Sequence, residues 1–233
     1  MEFFERQWRT YREIVDHDWM QHRGITTAAT EALRSWMAQH PERRGKALLL
    51  DLGCGDLALM GPVFGGLGLG SYVGVDLTAQ VLPLARAALG RSAFDVSLHH
   101  GDVSTFIATQ HDVDLVHASL VLHHLSDDDK AVFLTDLHRA VRPDGAFVWA
   151  DVFREPDEAR ADYVARYAER IRRDWYAIND DDREAIVTHM STFDFPADRE
   201  EIVYTARQAG WDWQWLWQGR HQAEAVALLT PAV

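Results

Sequence analysis

Five short apolar or β-rich runs, ALLLDL (47–52), SYVGVDL (71–77), DVSLHHG (95–101), VDLVHAS (113–119) and AFVWADV (146–152), recur along the middle of the chain, and helix-length segments separate most of them. This alternation limits the fold more than any other feature. Strands that alternate with helices pair in parallel, and a parallel sheet must be covered on both faces. An α/β, doubly wound sheet is expected. After the fourth run, Ser126 caps a helix whose start carries Asp127 to Asp129, whose core stripe reads Val132, Phe133, Asp136, Leu137 and Ala140, and which the turn RPDG (142–145) stops.

The two ends of the chain depart from this rhythm. Toward the C-terminus, a helix from about Pro156 to Ile178 carries Ala159, Tyr163, Tyr167, Ile171 and Trp175 four apart, and a capped helix at Asp198 to Gln208 stops at Gly210. WDWQWLWQ (211–218), with its Trp stripe on one face, and AEAVALL (223–229) then read as an antiparallel hairpin, which makes a seven-stranded, mostly parallel sheet with a C-terminal antiparallel strand. Before Pro41, Phe3 to Met20 and Thr26 to Gln39 read as two helices separated by Gly24. They are expected to form an N-terminal helical cap or lid over 1–40, ahead of a domain over 41–233 with a helical insertion at about 153–209.

Composition narrows the partners. With 233 residues, 47% hydrophobic and 11% aromatic, the chain can bury a substantial core. Lys and Arg number 23 against 36 Asp and Glu, and a net charge of -13 repels a phosphate backbone, so nucleic acid is not expected as a partner. A single cysteine, Cys54, excludes an intrachain disulfide, the first residues are acidic and aromatic, and no apolar window approaches the ~20 residues of a membrane helix. A cytoplasmic protein without membrane contact is expected; its oligomeric state is not legible.

The stretch LLLDLGCGDLALM (48–60) carries the chemistry. Gly53, Gly55 and Ala58 fit G-x-G-x-x-G/A, and Asp76 follows about twenty residues on, as in a dinucleotide site. An NAD(P)-binding oxidoreductase is therefore one reading. It has no use for Asp51 just before the first glycine or for Asp102, and a diphosphate would be poorly served among those carboxylates.

LLLDLGCG, YVGVDL, HHGDV and DLVHASLVLHHL, followed by RPDGAFVWAD, together resemble in order and spacing the class I, Rossmann-like S-adenosylmethionine-dependent methyltransferases, over Leu48 to Val152. The resemblance implies S-adenosyl-L-methionine as cofactor. It implies that Asp51 holds the methionine ammonium, directly or through water, that Gly53 and Gly55 let the turn pass against the ligand, that Asp76 takes both ribose hydroxyls and that Leu77 lies against the adenine. Asp102 would accept from the exocyclic amine, with the Val103 amide serving a ring nitrogen, and Ala118 and Ser119 would close the methionine side. Each acid also has a plainer reading as a cap or Asx turn.

Methyl transfer needs alignment, exclusion of water and, where a proton is lost, a base. His123, which the resemblance opens toward the methyl group, is the first choice for that base; Asp151, His22 and His189 are alternates. His124 is expected to face the helix start or core. Cys54, between two glycines, reads as a packed small side chain. Adjacent histidines project in different directions, and neither H-E-x-x-H nor a cysteine pair is present, so no metal is expected. ASLVLHH replaces the Asn/Asp-Pro-Pro-aromatic signature of planar amide or adenine methylation, which leaves a small-molecule N- or O-acceptor, with a cationic or heteroaromatic amine suited to an acidic, aromatic surround. A non-catalytic module that only binds S-adenosylmethionine is the remaining alternative.

Overall fold

A computed structural model describes residues 2–232. In chain order it comprises α1 (Glu2–Asp16), α2 (His22–Gln39), β1 (Leu48–Leu52), α3 (Gly61–Gly65), β2 (Ser71–Asp76), α4 (Leu82–Leu89), β3 (Asp95–His100), α5 (Val103–Ile107), β4 (Val113–Ser119), α6 (Asp127–Ala140), β5 (Val141–Arg154), α7 (Arg160–Asp174), α8 (Asp180–Phe193), β6 (Ala197–Asp198), α9 (Arg199–Gln208), β7 (Trp211–Gln218) and β8 (Glu224–Pro231). The strands lie in the order β3-β2-β1-β4-β5-β8-β7, and β8 runs antiparallel to both neighbours. Beyond the seven expected strands, the two residues of β6 pair with the end of β5, joining Phe153 to Ala197. β5 starts earlier than expected, at Val141, so RPDG opens a strand as well as closing α6.

Side-chain alternation along the strands feeds two cores. On one face Leu50, Leu52, Val116 and Ala118 pack with Phe133, Leu137, Ile202 and Trp211 under α5, α6 and α9; on the other Leu49, Leu115 and Tyr72 pack with Phe64, Ala85 and Leu89 under α2, α3 and α4. Each fully buried Phe or Leu among them contributes roughly 1.5 to 3 kcal/mol. In α6, Ser126 caps as expected, accepting from the Asp129 N–H at 3.1 Å. Val132 does not join the core stripe: it is 63% exposed, and Leu134 is buried in its place, while Asp136 pairs with Arg139 on the surface.

The N-terminal helices divide differently from the expected cap over 1–40. The break falls at 18–21, where Asp18 and Gln21 have φ of 57° and 55°, and Gly24 lies inside the first turn of α2. Gly24 is there because Trp217 packs on it: a Cβ would come within 2.3 Å of the ring. α2 buries Ala29, Leu33, Trp36 and Met37 in the sheet core, so it is a layer of the sandwich. Trp217 reaches it because a register shift between Trp215 and Trp217 in β7 turns the strand over. Trp211, Trp213 and Trp215 keep to the α9 face, and the expected single Trp face ends at that bulge.

A third cluster joins the turn between α1 and α2 to the helical insertion: Trp19 stacks on Trp175 at 5.4 Å, beside Tyr163, Tyr167, Ile171 and Met190 of α7 and α8. Beneath it, fully buried Glu224 accepts from Gln21 Nε2, Tyr167 Oη and Arg170, each at 2.8 Å. Among the described residues no helix is long and apolar enough to cross a membrane.

Candidate cofactor and active site

The strand order reverses between β1 and β4, and in open α/β sheets ligands bind outside the carboxyl ends of strands at such a point. A cavity of about 520 Å³ opens there, within the size range of small-molecule sites. Its floor is the glycine turn and the strand ends; α1 and the start of α2 supply Trp8, Tyr11, His22, Ile25 and Thr26.

The turn after β1 is held by backbone. The N–H groups of Gly53 and Cys54 both donate to Val75 C=O, at 2.9 and 3.0 Å. Gly53 has φ 69°, and a Cβ there would strike Val121 at 2.6 Å; its glycine is required by the loop leaving β4 as much as by any ligand. Gly55 differs: with φ 55° and nothing within 4 Å of an added Cβ, it keeps open the space above the turn. Burial, followed by the charges of Asp51 and Asp76, pushes the Cys54 thiol up, so it stays protonated as the packed side chain expected.

The acids converge. Asp51, buried, accepts from the Tyr72 hydroxyl and from His117 Nδ1, each at 2.7 Å. Asp76 accepts from Gly55 N–H and Thr78 N–H, both at 2.8 Å, one on each oxygen, leaving a lone pair free on each. Asp102 caps α5 by accepting from Thr105 N–H at 2.9 Å with Oδ1, so its plainer reading holds alongside its place in the cavity wall. Val103, at the first position of α5, directs its N–H out of the helix start. Leu77 is 65% exposed on the cavity rim. Ser119 lines the cavity, but Ala118 does not: on a strand of period two it faces the opposite core, and His117 takes the cavity face instead.

The four candidate bases are dispersed. His123 is buried with Nδ1 2.6 Å from Asp151 Oδ1 and lies outside the cavity lining; His124, 44% exposed, lines it, which reverses the expected orientations. The cause is the 3-10 turn at Leu122–His124, which sends successive side chains to different sides. Asp151 is saturated, also accepting from the N–H groups of Leu122, His123 and Val152 and from Trp149 Nε1. Burial opposes charge on both partners, yet their mutual attraction holds His123 above and Asp151 below its ordinary pKa. His189 is exposed beside Asp194 and outside the lining. His22 alone of the four lines the cavity. It is buried, and among the described residues its Nδ1 has no hydrogen-bond partner. Burial, outweighing Asp18 and Glu224, lowers its pKa, so the ring is neutral at pH 7. Tyr11 meets it edge-on at 6.5 Å, its own phenol pushed up to about 12 by burial and Asp56. Arg12 of α1 approaches Asp56 of the glycine loop, a cavity-lining residue, at 3.9 Å.

Sequence reading missed His117, Tyr72 and Asp56. For His117 the signal was available: it stands two residues before Ser119, on the same strand face.

Residues 49–145 match the family model described as a methyltransferase domain. The ubiquinone biosynthesis O-methyltransferase of Dinoroseobacter shibae is 24% identical over 168 residues, 70% of this chain and 66% of that one, so the match spans just under two thirds of the relative's length. Two solved structures share the fold. The TehB-like S-adenosylmethionine-dependent methyltransferase of Corynebacterium glutamicum is 17% identical with a TM-score of 0.54, covering 93% of this chain and 97% of that chain. The magnesium protoporphyrin IX methyltransferase of Synechocystis, solved with bound S-adenosylmethionine, is 13% identical with a TM-score of 0.55, covering 90% and 83%.

Proposed function

We propose, from the match of residues 49–145 to the methyltransferase domain model, that this chain is a class I S-adenosylmethionine-dependent methyltransferase and transfers a methyl group from S-adenosylmethionine to a nitrogen or oxygen of a small molecule. The observation that carries this reading is that Asp51, Asp76 and Asp102, from three separate strand ends, line one cavity with an open glycine turn. That donor set fits the cofactor: acceptors for an ammonium, a ribose diol and an exocyclic amine, with room over Gly55 for close approach. The cofactor supplies an electrophilic methyl on a sulfonium. Asp76 would take the ribose hydroxyls on its free lone pairs, Leu77 and Val103 would bound the adenine, and the Asp102 carboxylate and Val103 N–H would meet its polar edge. The pair of Asp51 and His117, with Ser119, serves the methionine end.

His22 is the residue we assign to the acceptor's proton. It is neutral, it faces the cavity, and its Nδ1 is unmatched among the described residues, whereas His123 and Asp151 are paired with each other outside the cavity lining. α1, tied to the glycine loop through Arg12 and Asp56, excludes water from that side.

Calorimetry with S-adenosylmethionine, its demethylated product and NAD(P) tests the reading. The first two should bind and the dinucleotides should not; binding only of a dinucleotide overturns it. Methyl transfer from labelled cofactor across a panel of phenols and amines separates an enzyme from a binding module. With an acceptor found, His22→Ala should lower turnover roughly 10²- to 10⁴-fold and leave cofactor affinity nearly unchanged.

A further inference from the structure

Three side chains that the cofactor site does not use meet beside the cavity wall. His123 and His124, from the turn after β4, face Asp194, which follows α8, and one ligating atom from each lies within 4.8 Å of the other two. His124 Nδ1 is 3.1 Å from Asp194 Oδ1 without the alignment of a bond, since that buried oxygen has no hydrogen-bond partner among the described residues; Nδ1 is instead 3.4 Å from the Phe193 carbonyl, a long bond that ligation would replace. His123 Nε2 is 3.9 Å from Asp194 Oδ2, beyond hydrogen-bond reach. Ligands of one tetrahedral or octahedral ion, at bonds of about 2.0 to 2.1 Å, stand about 3.0 to 3.4 Å apart, so small adjustments bring these atoms to one centre.

The support behind the first ligand is already in place. With Nδ1 held by Asp151 at 2.6 Å, the His123 ring turns its Nε2 toward Asp194. A carboxylate behind an imidazole is the arrangement that orients metal-bound histidines. The two segments are also fixed to each other: Phe195 N–H donates to His123 C=O, and buried Lys130 donates to the carbonyls of Leu125 and Phe195, each at 2.5 Å. His189, exposed, has Nε2 3.8 Å from Asp194 Oδ1 and lies edge-on to His124.

We propose that His123 Nε2, His124 Nδ1 and the Asp194 carboxylate bind one divalent first-row transition ion, with His189 as a further ligand. Two or three imidazoles and one carboxylate suit Zn²⁺, Co²⁺ or Ni²⁺, and disfavour Mg²⁺ and Ca²⁺, which take oxygen shells. Because His124 also lines the cavity, an ion here fixes part of its wall. The inference stands without the methyl-transfer reading, since it uses none of the cofactor residues.

The test is a Co²⁺ titration of tag-free, chelator-stripped, full-length protein followed by visible absorption, with Zn²⁺ as competitor and circular dichroism as the check on folding. One equivalent should bind and be displaced by Zn²⁺. Asp194→Asn and His124→Ala should each weaken binding by roughly 100-fold or more, and Asp151→Asn, which removes the carboxylate charge behind His123, by about 10- to 100-fold in protein that circular dichroism shows to be folded. If Asp194→Asn fails to fold, His124→Ala, at a half-exposed position, still decides the matter. Absence of a Co²⁺ spectrum in the unmodified protein, or a folded His124→Ala that binds as tightly, overturns the site.

Discussion

Two buried histidine–aspartate pairs stand at the carboxyl end of the sheet, nearly identical in length. His117 meets Asp51 at 2.7 Å and His123 meets Asp151 at 2.6 Å. Their surroundings set them apart. Asp51 has two side-chain donors, Tyr72 and His117, and faces the cavity with acceptor capacity to spare. Asp151 is filled by five donors, three of them main-chain N–H groups, and holds the loop leaving β4 against β5. The number of donors already on a carboxylate thus separates an acid available to a ligand from one committed to the fold.

The largest expected effect is Asp151→Ala. It strands main-chain and indole donors inside the protein, and breaking a buried charged pair costs about 3 to 5 kcal/mol, which urea denaturation would show as a large fall in midpoint. Asp51→Ala should cost less, and an equal or greater loss would break the distinction. Asp76→Ala comes next. Losing two charge-assisted bonds to ribose should weaken cofactor affinity by roughly 100-fold, while loss of the Gly55 and Thr78 bonds lowers stability by only about 1 to 3 kcal/mol; unchanged calorimetric affinity would remove Asp76 from the site. Tyr72→Phe should cost about 1.5 to 3 kcal/mol, since it removes one of two donors from a buried carboxylate, and a neutral outcome would mean that Asp51 finds another partner.

The smallest effect is on pH, and it sets His22 against the paired His123. The folded pKa of His22 lies below 6.5, so the unfolded chain takes the proton first and this contribution to stability is lost as pH falls through 6.5. The folded pKa of His123 lies above 6.5, so its contribution is complete below 6.5 and is lost as pH rises through the folded value. Urea midpoints for His22→Gln should therefore fall less between pH 7 and pH 5.5 than those of the unmodified protein. Parallel curves for the two would show that His22 is not held neutral.

What was legible in the sequence was whatever one strand or one turn determines alone. The five runs before the tail, the Ser126 cap and the acids beside the glycine turn depend on local pattern, and they stand where pattern put them. What failed depended on partners far along the chain. Gly24 reads as a helix break until Trp217 is seen to occupy the place of its Cβ, and α2 reads as a cap until the hairpin it covers is in view. Which of His123 and His124 faces the cavity turns on one residue of rotation in a 3-10 turn, finer than any periodicity specifies. Asp194 lies about seventy residues beyond both, so no spacing rule could have joined them.

The seat that Gly24 makes for Trp217, and the bond from Gln21 to Glu224 across 203 residues, bear on how the chain is made. Synthesis delivers α2 well before β7 and β8, which complete its seat, so while the intervening residues are made Leu33, Trp36 and Met37 lack part of their covering. A nascent chain stalled before β7 would show that greasy helix to chaperones and proteases. Only once β7 and β8 have been made can α2 be fully covered, so the helix stays sticky until a hairpin about 180 residues further along has folded against it.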